Sequence, residues 1–326
     1  MKISRRTVTA GVLAAGVMPL GMARAQGRFP GTQPVKVIVG FPAGGSQDNV
    51  GRIVAERLSA YWGGHPVVVE NVPGAGSNLA FERIARGPAD GTQLLIVPPP
   101  FSTNEFLYPK IGYDPRKDFT PLALVVTFPS LLCVRNSLPV KTMPELIAYA
   151  KANPGKLNYG STGIGTSPHL ASEMLKKMAG IKFATVHHRG SAPTINSLLS
   201  EAVDFAMDNT TSITPHAKAG TIRALGITTL KRWPLDPEYV PIAETLPGYE
   251  ALGYTGISVR AGTPKEVCDS IETAVLAITK EAGFKQRMSG MLAEVVGTGS
   301  AAFAGFLAGE SAKWGKLITE LGIRKG

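Results

Sequence analysis

Apolar strand-like runs alternate along this chain with amphipathic helical segments, and glycine loops join several of the pairs. Residues 35–41 form a run that is apolar except at Lys36 and rich in β-branched side chains, as expected of a strand buried on both faces. The Pro-Ala-Gly-Gly loop at 42–45 follows, and apolar residues then recur at helical spacing through 50–58. Repeated units of this kind predict parallel sheets with helices packed on both faces.

The same unit recurs over most of the chain. Further strands are expected at residues 67–69, 94–97, 122–126, 131–134, 157–160, 183–187, 204–207 and 222–227. Loops containing glycine follow three of them, at 73–76, 161–167 and 188–190. Because 326 residues exceed what one hydrophobic core usually supports, we expect two α/β domains.

The first 25 residues resemble an export signal. A basic start precedes an apolar stretch and a small-residue exit, which places the predicted cleavage after Ala25. Arg5 and Arg6 favour the twin-arginine route, with a plain Sec signal as the alternative. The apolar stretch is shorter than the roughly 20 residues that a spanning helix needs, so a retained anchor is the lesser alternative. The mature protein is expected to be periplasmic and soluble.

Charge does not favour a nucleic-acid partner. The signal carries four basic residues and no acid, so its removal lowers the formal net charge from +10 to +6. The remaining basic residues are dispersed along the chain and do not form a stripe with interleaved aromatic side chains. We therefore expect no nucleic-acid binding.

The enzyme classes considered lack their motifs. Gly74 and Gly76 follow a strand as in a dinucleotide fingerprint, but Leu79 occupies the position of the third glycine, so an NAD-dependent oxidoreductase is an unlikely alternative. The hydrolase elbow is missing, because Tyr159 stands where its first glycine belongs. No histidine spacing suggests a metal site. We expect no catalysis and no cofactor, and buried thiols at Cys133 and Cys268.

The glycine loops favour an anion-binding site. In open parallel sheets, ligands bind beyond the carboxyl ends of the strands, where loops lead into helix N-termini. Glycine lets a ligand approach the unpaired N–H groups and the positive end of the helix dipole. One such loop can simply turn the chain, but three in equivalent places favour the capture of a carboxylate or phosphate.

Several motifs in order along the chain resemble the Bug family of extracytoplasmic solute receptors, which are similar to the TctC component of tripartite tricarboxylate transporters. The resemblance extends from about residue 35 to residue 265. The matching residues are Phe41, Pro42, Ala43, Gly44, Gly45, Asp48 and Arg52; Val69, Glu70, Asn71, Pro73, Gly74, Ala75 and Gly76; Pro88, Asp90 and Gly91; Tyr159, Gly160, Ser161, Gly163, Gly165, His169 and Leu170; and Lys218, Ala219, Gly220, Arg223, Ala224 and Leu225.

The resemblance implies a periplasmic binding protein of type II, with two doubly wound α/β domains and a ligand cleft between them. Domain 1 would comprise residues 26–127 plus 251–326, and domain 2 residues 128–250. The implied ligand is a small organic carboxylate captured by cleft closure, and the implied partner is a tripartite-type membrane permease. A sensor that presents its ligand to a signalling receptor is the alternative partner system. We expect a monomer.

The resemblance also implies the walls of the pocket. One wall would be Phe41, Ala43, Gly44 and Gly45, and the other Ser161, Thr162, Gly163, Thr166 and Ser167. Asp48 and Asn104 match family positions, and Asp208 would orient waters or polar ligand groups. For Asp48 the alternative role is capping or orienting the first helix.

Two departures from the family pattern bear on the ligand. Three prolines close the expected strand at 94–97, and a loop through Ser102 and Asn104 is expected to follow it. The segment 98–101 reads Pro-Pro-Pro-Phe where relatives have small polar residues, which predicts a bulkier and more apolar wall. Arg189 would add a bidentate carboxylate contact, although it is equally consistent with a solvated loop charge. A ring held between Phe41 and Phe101 would favour a larger or aromatic carboxylate.

Overall fold

A computed structural model describes residues 29–324 of the chain. The predicted export signal lies outside the described residues. The strands are β1 (Val35–Val39), β2 (Val67–Asn71), β3 (Gln93–Val97), β4 (Phe119–Val134), β5 (Asn158–Ser161), β6 (Ala184–His187), β7 (Phe205–Asn209), β8 (Arg223–Ile227), β9 (Leu252–Arg260) and β10 (Glu294–Gly299).

The helices cover both faces of the sheet that these strands form. They are α1 (Ser46–Tyr61), α2 (Asn78–Arg86), α3 (Pro100–Leu107), α4 (Met143–Ala152), α5 (Ser167–Ala179), α6 (Ser191–Leu199), α7 (Thr210–Lys218), α8 (Lys265–Lys280), α9 (Ala282–Gly290) and α10 (Ser300–Glu320). Within residues 29–324, no helix has the length and apolar character needed to cross a membrane.

The long strand β4 divides the sheet into two halves. The strand order is β2-β1-β3-β9-β4-β7-β5-β6, and both β8 and β10 also pair with β4. Up to Pro129, β4 pairs with β9, and from Ser130 onward it pairs with β7. We call β1, β2, β3, β9, β10 and residues 119–129 the first half, and β5–β8 with residues 130–134 the second half. β1 to β3 are parallel to one another, as are β5 to β7, whereas β4 and β9 run antiparallel to their neighbours.

Each half has its own buried apolar clusters. In the first half, side chains of β1 such as Val37 pack against α1 and α8, for example against Val54 and Ile271. In the second half, Tyr159 of β5 and Leu175 of α5 belong to a separate cluster. The predicted α/β class is therefore confirmed, and it arises because the strand-loop-helix units bury their helices on a common sheet.

Five elements differ from the sequence-based expectation. The expected strands 122–126 and 131–134 are one continuous strand, because β4 crosses from one half of the sheet to the other. The expected loop after β3 is the helix α3, which begins with a proline at its first position, where no N–H is required. Strands β9 and β10 and helix α9 were not expected.

The proposed domain boundaries remain a prediction. β4 changes its partners at Pro129 and Ser130, close to the expected boundary at 127/128. The end of α10, however, reaches the second half, where Trp314 and Ile318 join the cluster that contains Tyr159. The C-terminal helix thus packs on both halves.

Both cysteines are buried and free. Cys133 lies in β4 with no exposed surface and Cys268 lies in α8 with 8% exposed. Burial raises the pKa of both thiols, so they remain protonated at neutral pH.

Two glycines give a stability prediction with opposite signs. A Cβ on Gly256 of β9 would overlap the Phe303 ring of α10, whereas one on the exposed Gly305 of the same helix meets no atom within 4 Å. We expect Gly256→Ala to lower the free energy of unfolding by about 1–3 kcal/mol through overpacking. Gly305→Ala should raise it by about 0.5–1 kcal/mol through helix propensity. Urea denaturation measures both changes. Equal destabilisation of the two variants would contradict the close packing of Gly256 against Phe303.

Candidate functional site

The starts of three helices meet at one cavity between the two halves. The loops after β1, β5 and β6 lead into α1, α5 and α6, and all three loops line the cavity. The innermost chamber has a volume of about 30 Å³. It is lined by Phe41, Pro42, Ala43, Gly45, Ser46, Gln47, Pro98, Pro99, Pro100, Thr162, Thr166, Ser167, Arg189, Gly190, Ser191, Ala192, Pro193 and Asn209.

The chemistry of this chamber is dominated by helix N-termini. The first N–H groups of a helix have no intrahelical partner, and the helix dipole makes this end positive. Gly45, Thr166 and Gly190 are the residues that precede α1, α5 and α6. The start of α3 contributes differently, because Pro98, Pro99 and Pro100 present rings without N–H groups. The arrangement suits an anion with an apolar body.

Asp48 holds the first loop in shape. Its carboxylate accepts hydrogen bonds from Gly44 N–H at 2.9 Å, from Asn71 Nδ2 at 2.9 Å and from Arg52 Nε at 2.8 Å. Burial alone would raise the pKa of Asp48, but the bonds from Arg52, Gly44 and Asn71 outweigh it and lower the pKa. Asp48 therefore stays ionised beneath the loop and does not line the cavity.

The second loop is held by hydroxyl groups. Thr166 precedes α5, and its Oγ1 donates to Gly163 O at 2.8 Å and lies 2.9 Å from Thr162 Oγ1. Ser161 Oγ accepts from Gly163 N–H at 3.3 Å. Thr162 and Thr166 line the chamber, whereas Ser161 is fully buried behind it.

Asn209 connects the two halves at the floor of the chamber. Its Nδ2 donates to Ser46 Oγ at 3.0 Å, and its Oδ1 accepts from Ser167 Oγ at 3.3 Å and from Ser130 Oγ at 3.1 Å. One side chain thus joins the start of α1, the start of α5 and strand β4.

Asp208 lies behind the chamber with no exposed surface. Its Oδ1 is 2.9 Å from Ser191 Oγ and accepts from Asn209 N–H at 2.7 Å. Its Oδ2 is buried and has no hydrogen-bond partner within the described part of the chain, residues 29–324. Burial raises the pKa of Asp208 to about 7, although the two hydrogen bonds act in the opposite direction.

A larger cleft of about 730 Å³ adjoins the chamber. Six residues line both, namely Phe41, Pro42, Thr162, Thr166, Arg189 and Gly190. Gly163, Ile164, Tyr108 and the loop from Pro73 to Ser77 line the cleft alone. The Arg189 side chain is exposed, and its guanidinium forms no ion pair with any residue from 29 to 324.

The structure brings eight of the predicted site residues to the chamber or the cleft. They are Phe41, Ala43, Gly45, Thr162, Gly163, Thr166, Ser167 and Arg189. Asp48, Ser161 and Asp208 are buried behind this surface and shape it, whereas Gly44 is exposed and donates its N–H to Asp48. Asn104 is buried too, and its Nδ2 donates to Gly76 O at 2.8 Å and to Asn78 Oδ1 at 2.7 Å, which fixes the loop before α2.

The prediction that a ligand ring is held between Phe41 and Phe101 is wrong. Phe101 is only 4% exposed, and its ring packs edge-on against Phe81 and Phe119 at centroid distances of 5.4 and 5.1 Å. Because α3 is a helix, the side chain that follows its prolines turns into the core of the first half.

Sequence reasoning missed several residues of the chamber. Ser46, Gln47 and Ser191 occupy first turns of helices, and Asn209 ends β7. The glycines at 45 and 190 could have identified these first turns as part of the site, because each precedes a helix that starts at the carboxyl end of a strand. Asn209 gave no signal of its own, since its role depends on contacts across the chain.

A two-halved α/β fold with helix N-termini around a cavity between the halves defines a solute-binding receptor. Residues 50–323 match the model of the tripartite tricarboxylate transporter family receptor. The chain belongs to this family, and it is a binding protein rather than an enzyme.

Solved structures agree with this assignment. R. palustris Rpa4515 with adipate is 35% identical with a TM-score of 0.87, over 90% of this chain and 98% of that chain. The periplasmic binding protein BugD is 33% identical with a TM-score of 0.85, over 90% and 99%. MatC from Rhodopseudomonas palustris with bound malate is 28% identical with a TM-score of 0.81, over 87% and 98%.

Asp48 gives a testable prediction. In Asp48→Asn an amide NH₂ replaces one acceptor oxygen and faces a buried donor, so we expect a loss of about 1–3 kcal/mol in the free energy of unfolding at pH 7. The folded-state pKa is lowered, so this contribution is present above the ordinary value of 3.8 and is lost as the pH falls through the folded-state pKa. Urea denaturation at pH 7 and at a series of lower values down to about pH 2 tests both statements.

The matched control for this variant is Asp269→Asn. Asp269 pairs with Lys265 on the exposed surface of α8, with 55% of its side chain accessible. We expect a change within about 0.5 kcal/mol. A loss in the control as large as that in Asp48→Asn would contradict the role given to Asp48.

Proposed function

We propose that this protein is a periplasmic receptor that captures a small organic carboxylate between its two halves. The single observation that carries the proposal is the convergence of the N-termini of α1, α5 and α6, together with Arg189, on one chamber. Each hydrogen bond to a charged group contributes on the order of 1.5–3 kcal/mol. Several such bonds hold an anion even where only one side chain carries a positive charge.

The two connected spaces indicate the shape of the ligand. The inner chamber of about 30 Å³ holds one carboxylate group, so the remainder of a longer molecule extends into the cleft of about 730 Å³. Phe41, which lines both spaces, and Ile164 of the cleft offer apolar contact to its body, whereas Pro98 to Pro100 line the chamber. With Phe101 in the core, the support for an aromatic ligand weakens. An aliphatic dicarboxylate fits best, since the relatives described above hold adipate and malate.

Capture involves closure of the cleft. The proposed bodies are residues 26–127 plus 251–326 and residues 128–250, and β4 and β9 would serve as the connection between them. The hydrogen bond from Asn209 to Ser46 joins the two bodies in the closed arrangement. The closed surface would then be recognised by a tripartite-type membrane permease, to which a monomeric, exported receptor with its signal removed delivers the ligand.

The proposal is tested by the thermal unfolding of the exported protein with a panel of solutes. A ligand that binds only the folded state raises Tm as its concentration rises. At a concentration of one hundred times Kd, it raises the free energy of unfolding by about 2.7 kcal/mol. Adipate and malate should raise Tm, benzoate should do so less, and NAD and cationic amines should have no effect. Stabilisation by neutral or cationic solutes alone would contradict the proposal, and native mass spectrometry would identify any copurified ligand.

Arg189 provides a sharper test of the same site. Arg189→Gln removes the cation at the junction of chamber and cleft, so we expect the Kd for adipate to rise by about 10- to 100-fold, corresponding to about 1.5–3 kcal/mol. Calorimetric titration measures this change. Arg287→Gln is the control, because Arg287 pairs with Glu56 on the surface away from the cavity. Unchanged affinity in Arg189→Gln would show that Arg189 is a solvated loop charge and does not bind the carboxylate.

A further inference from the structure

A buried carboxyl group lies directly behind the chamber proposed to hold an anion. Asp208 has no exposed surface and one of its oxygens, Oδ2, has no partner among residues 29–324. An ionised carboxylate in this position carries two costs, since one oxygen is desolvated without compensation and its charge repels the guest. Protonation removes the repulsion and lowers the desolvation cost of Oδ2 to that of a neutral oxygen.

The contact between Asp208 and the chamber passes through Ser191. Ser191 lines the chamber at the start of α6, and its Oγ is 2.9 Å from Asp208 Oδ1. A serine hydroxyl has one proton and two lone pairs. If Asp208 is ionised, this proton is donated to Oδ1, and only lone pairs can face the guest. If Asp208 carries a proton on Oδ1, it donates to Ser191 Oγ and the serine proton is free to point into the chamber.

We propose that Asp208 is a positioning residue that takes up one proton from solvent when a carboxylate binds, and thereby turns Ser191 into a hydrogen-bond donor to that carboxylate. The proton moves from water to Asp208 Oδ1, and no other bond changes. The N–H of Asn209, 2.7 Å from Oδ1, remains bonded to the second lone pair of that oxygen. This inference rests on the proposed function, because it requires an anionic guest.

The neighbours of Asp208 do not supply a compensating charge. The titratable groups on β4 and β5 are Cys133 and Tyr159, and α5 carries His169 in its first turn and Glu173, Lys176 and Lys177 further along. Burial raises the pKa of Cys133 and Tyr159 and lowers that of His169 to about 3, so these three are neutral at pH 7. Lys176 pairs with Glu173, and Lys177 pairs with Glu320. α6 contains no titratable group, and His216 and Lys218 are at the far end of α7.

Three further groups stand around the chamber. In α1, Asp48 is compensated by Arg52. His188 and Arg189 lie in the turn before α6, where burial lowers the pKa of His188, so this ring is neutral at pH 7. Arg189 faces the guest across the chamber and cleft and forms no bond to Asp208.

The affinity should therefore fall with rising pH. Because the pKa of Asp208 is raised to about 7 by burial, the group is largely protonated at pH 6 and largely ionised at pH 8.5. If only the protonated form binds, the affinity falls about tenfold for each pH unit above that pKa, or roughly 30-fold between pH 6 and pH 8.5. A site made of backbone amides and an arginine alone would show no such change in this range, since neither titrates.

The test is calorimetric titration of the full exported protein with adipate and with malate at pH 6, 7, 7.5 and 8.5. Two buffers of different ionisation enthalpy are used at each pH, because the difference in heat counts the protons taken up. We expect uptake approaching one proton at pH 8.5 and close to none at pH 6. Proton-neutral binding at pH 8.5 would overturn the inference without requiring any variant.

Variants separate the role of Asp208 from a general pH effect. Asp208→Asn is neutral at every pH, so we expect its affinity at pH 8.5 to match its own value at pH 6 within about twofold. Asp269→Asn, the exposed control on α8, should retain the wild-type profile. Ser191→Ala should lower the affinity at pH 6 by roughly tenfold, since a donor to a charged group is lost.

The outcomes distinguish this inference from the proposed function. Binding of adipate or malate with an unaltered pH profile in Asp208→Asn, or with wild-type affinity in Ser191→Ala, contradicts the role of the Asp208–Ser191 pair and leaves the receptor function in place. Failure of both carboxylates to bind at any pH contradicts the proposed function, and the inference then falls with it.

Discussion

The N-termini of α1, α5 and α6 are the constraint around which this fold is arranged. The first N–H groups of a buried helix need partners. At α5 the His169 N–H already has one in Thr166 Oγ1, and Pro168 has no N–H. The three helix ends meet at one chamber. Close approach of the loops is required for this. Gly190 has φ of 108°, and a Cβ there would come within 3.4 Å of the Pro42 ring in the opposite half. The glycine permits both the backbone conformation and the contact.

Two aspartates behind the chamber show how environment divides identical side chains into different roles. Asp48 accepts three hydrogen bonds, one of them from Arg52, and its pKa is lowered. Its charge is compensated locally, so it can shape the first loop without opposing an anion. Asp208 accepts bonds only at Oδ1, has no cation beside it, and its pKa is raised by burial. The sequence places both next to loop residues but does not distinguish their states.

The features that could be predicted from the sequence are those that depend on residues close together along the chain. The strand-loop-helix units, the loops at 42–45 and 161–167, and the position of Arg189 follow from periodicity, glycine placement and family resemblance, and the structure places these loops at one cavity. Phe101 was misplaced because three consecutive prolines suggested a loop, although proline is also well suited to begin a helix. Asn209 was missed because its importance arises from partners 42, 79 and 163 residues away. Such contacts are a property of the folded chain.

The contacts between the halves explain how a modest ligand could control closure. Strands β4 and β9 and the end of α10 tie the halves together through main-chain pairing and buried apolar side chains. Across the cleft, by contrast, Asn209 donates to Ser46, Asn49 Nδ2 donates to Thr211 O at 3.2 Å, and Thr103 Oγ1 donates to Gly165 O at 3.1 Å. All three bonds are neutral, and each contributes only about 0.5–1.5 kcal/mol net because water can replace it. Since a shift from 1:99 to 99:1 needs about 5.5 kcal/mol, two or three charge-assisted bonds to a carboxylate are enough to convert a mostly open receptor into a closed one.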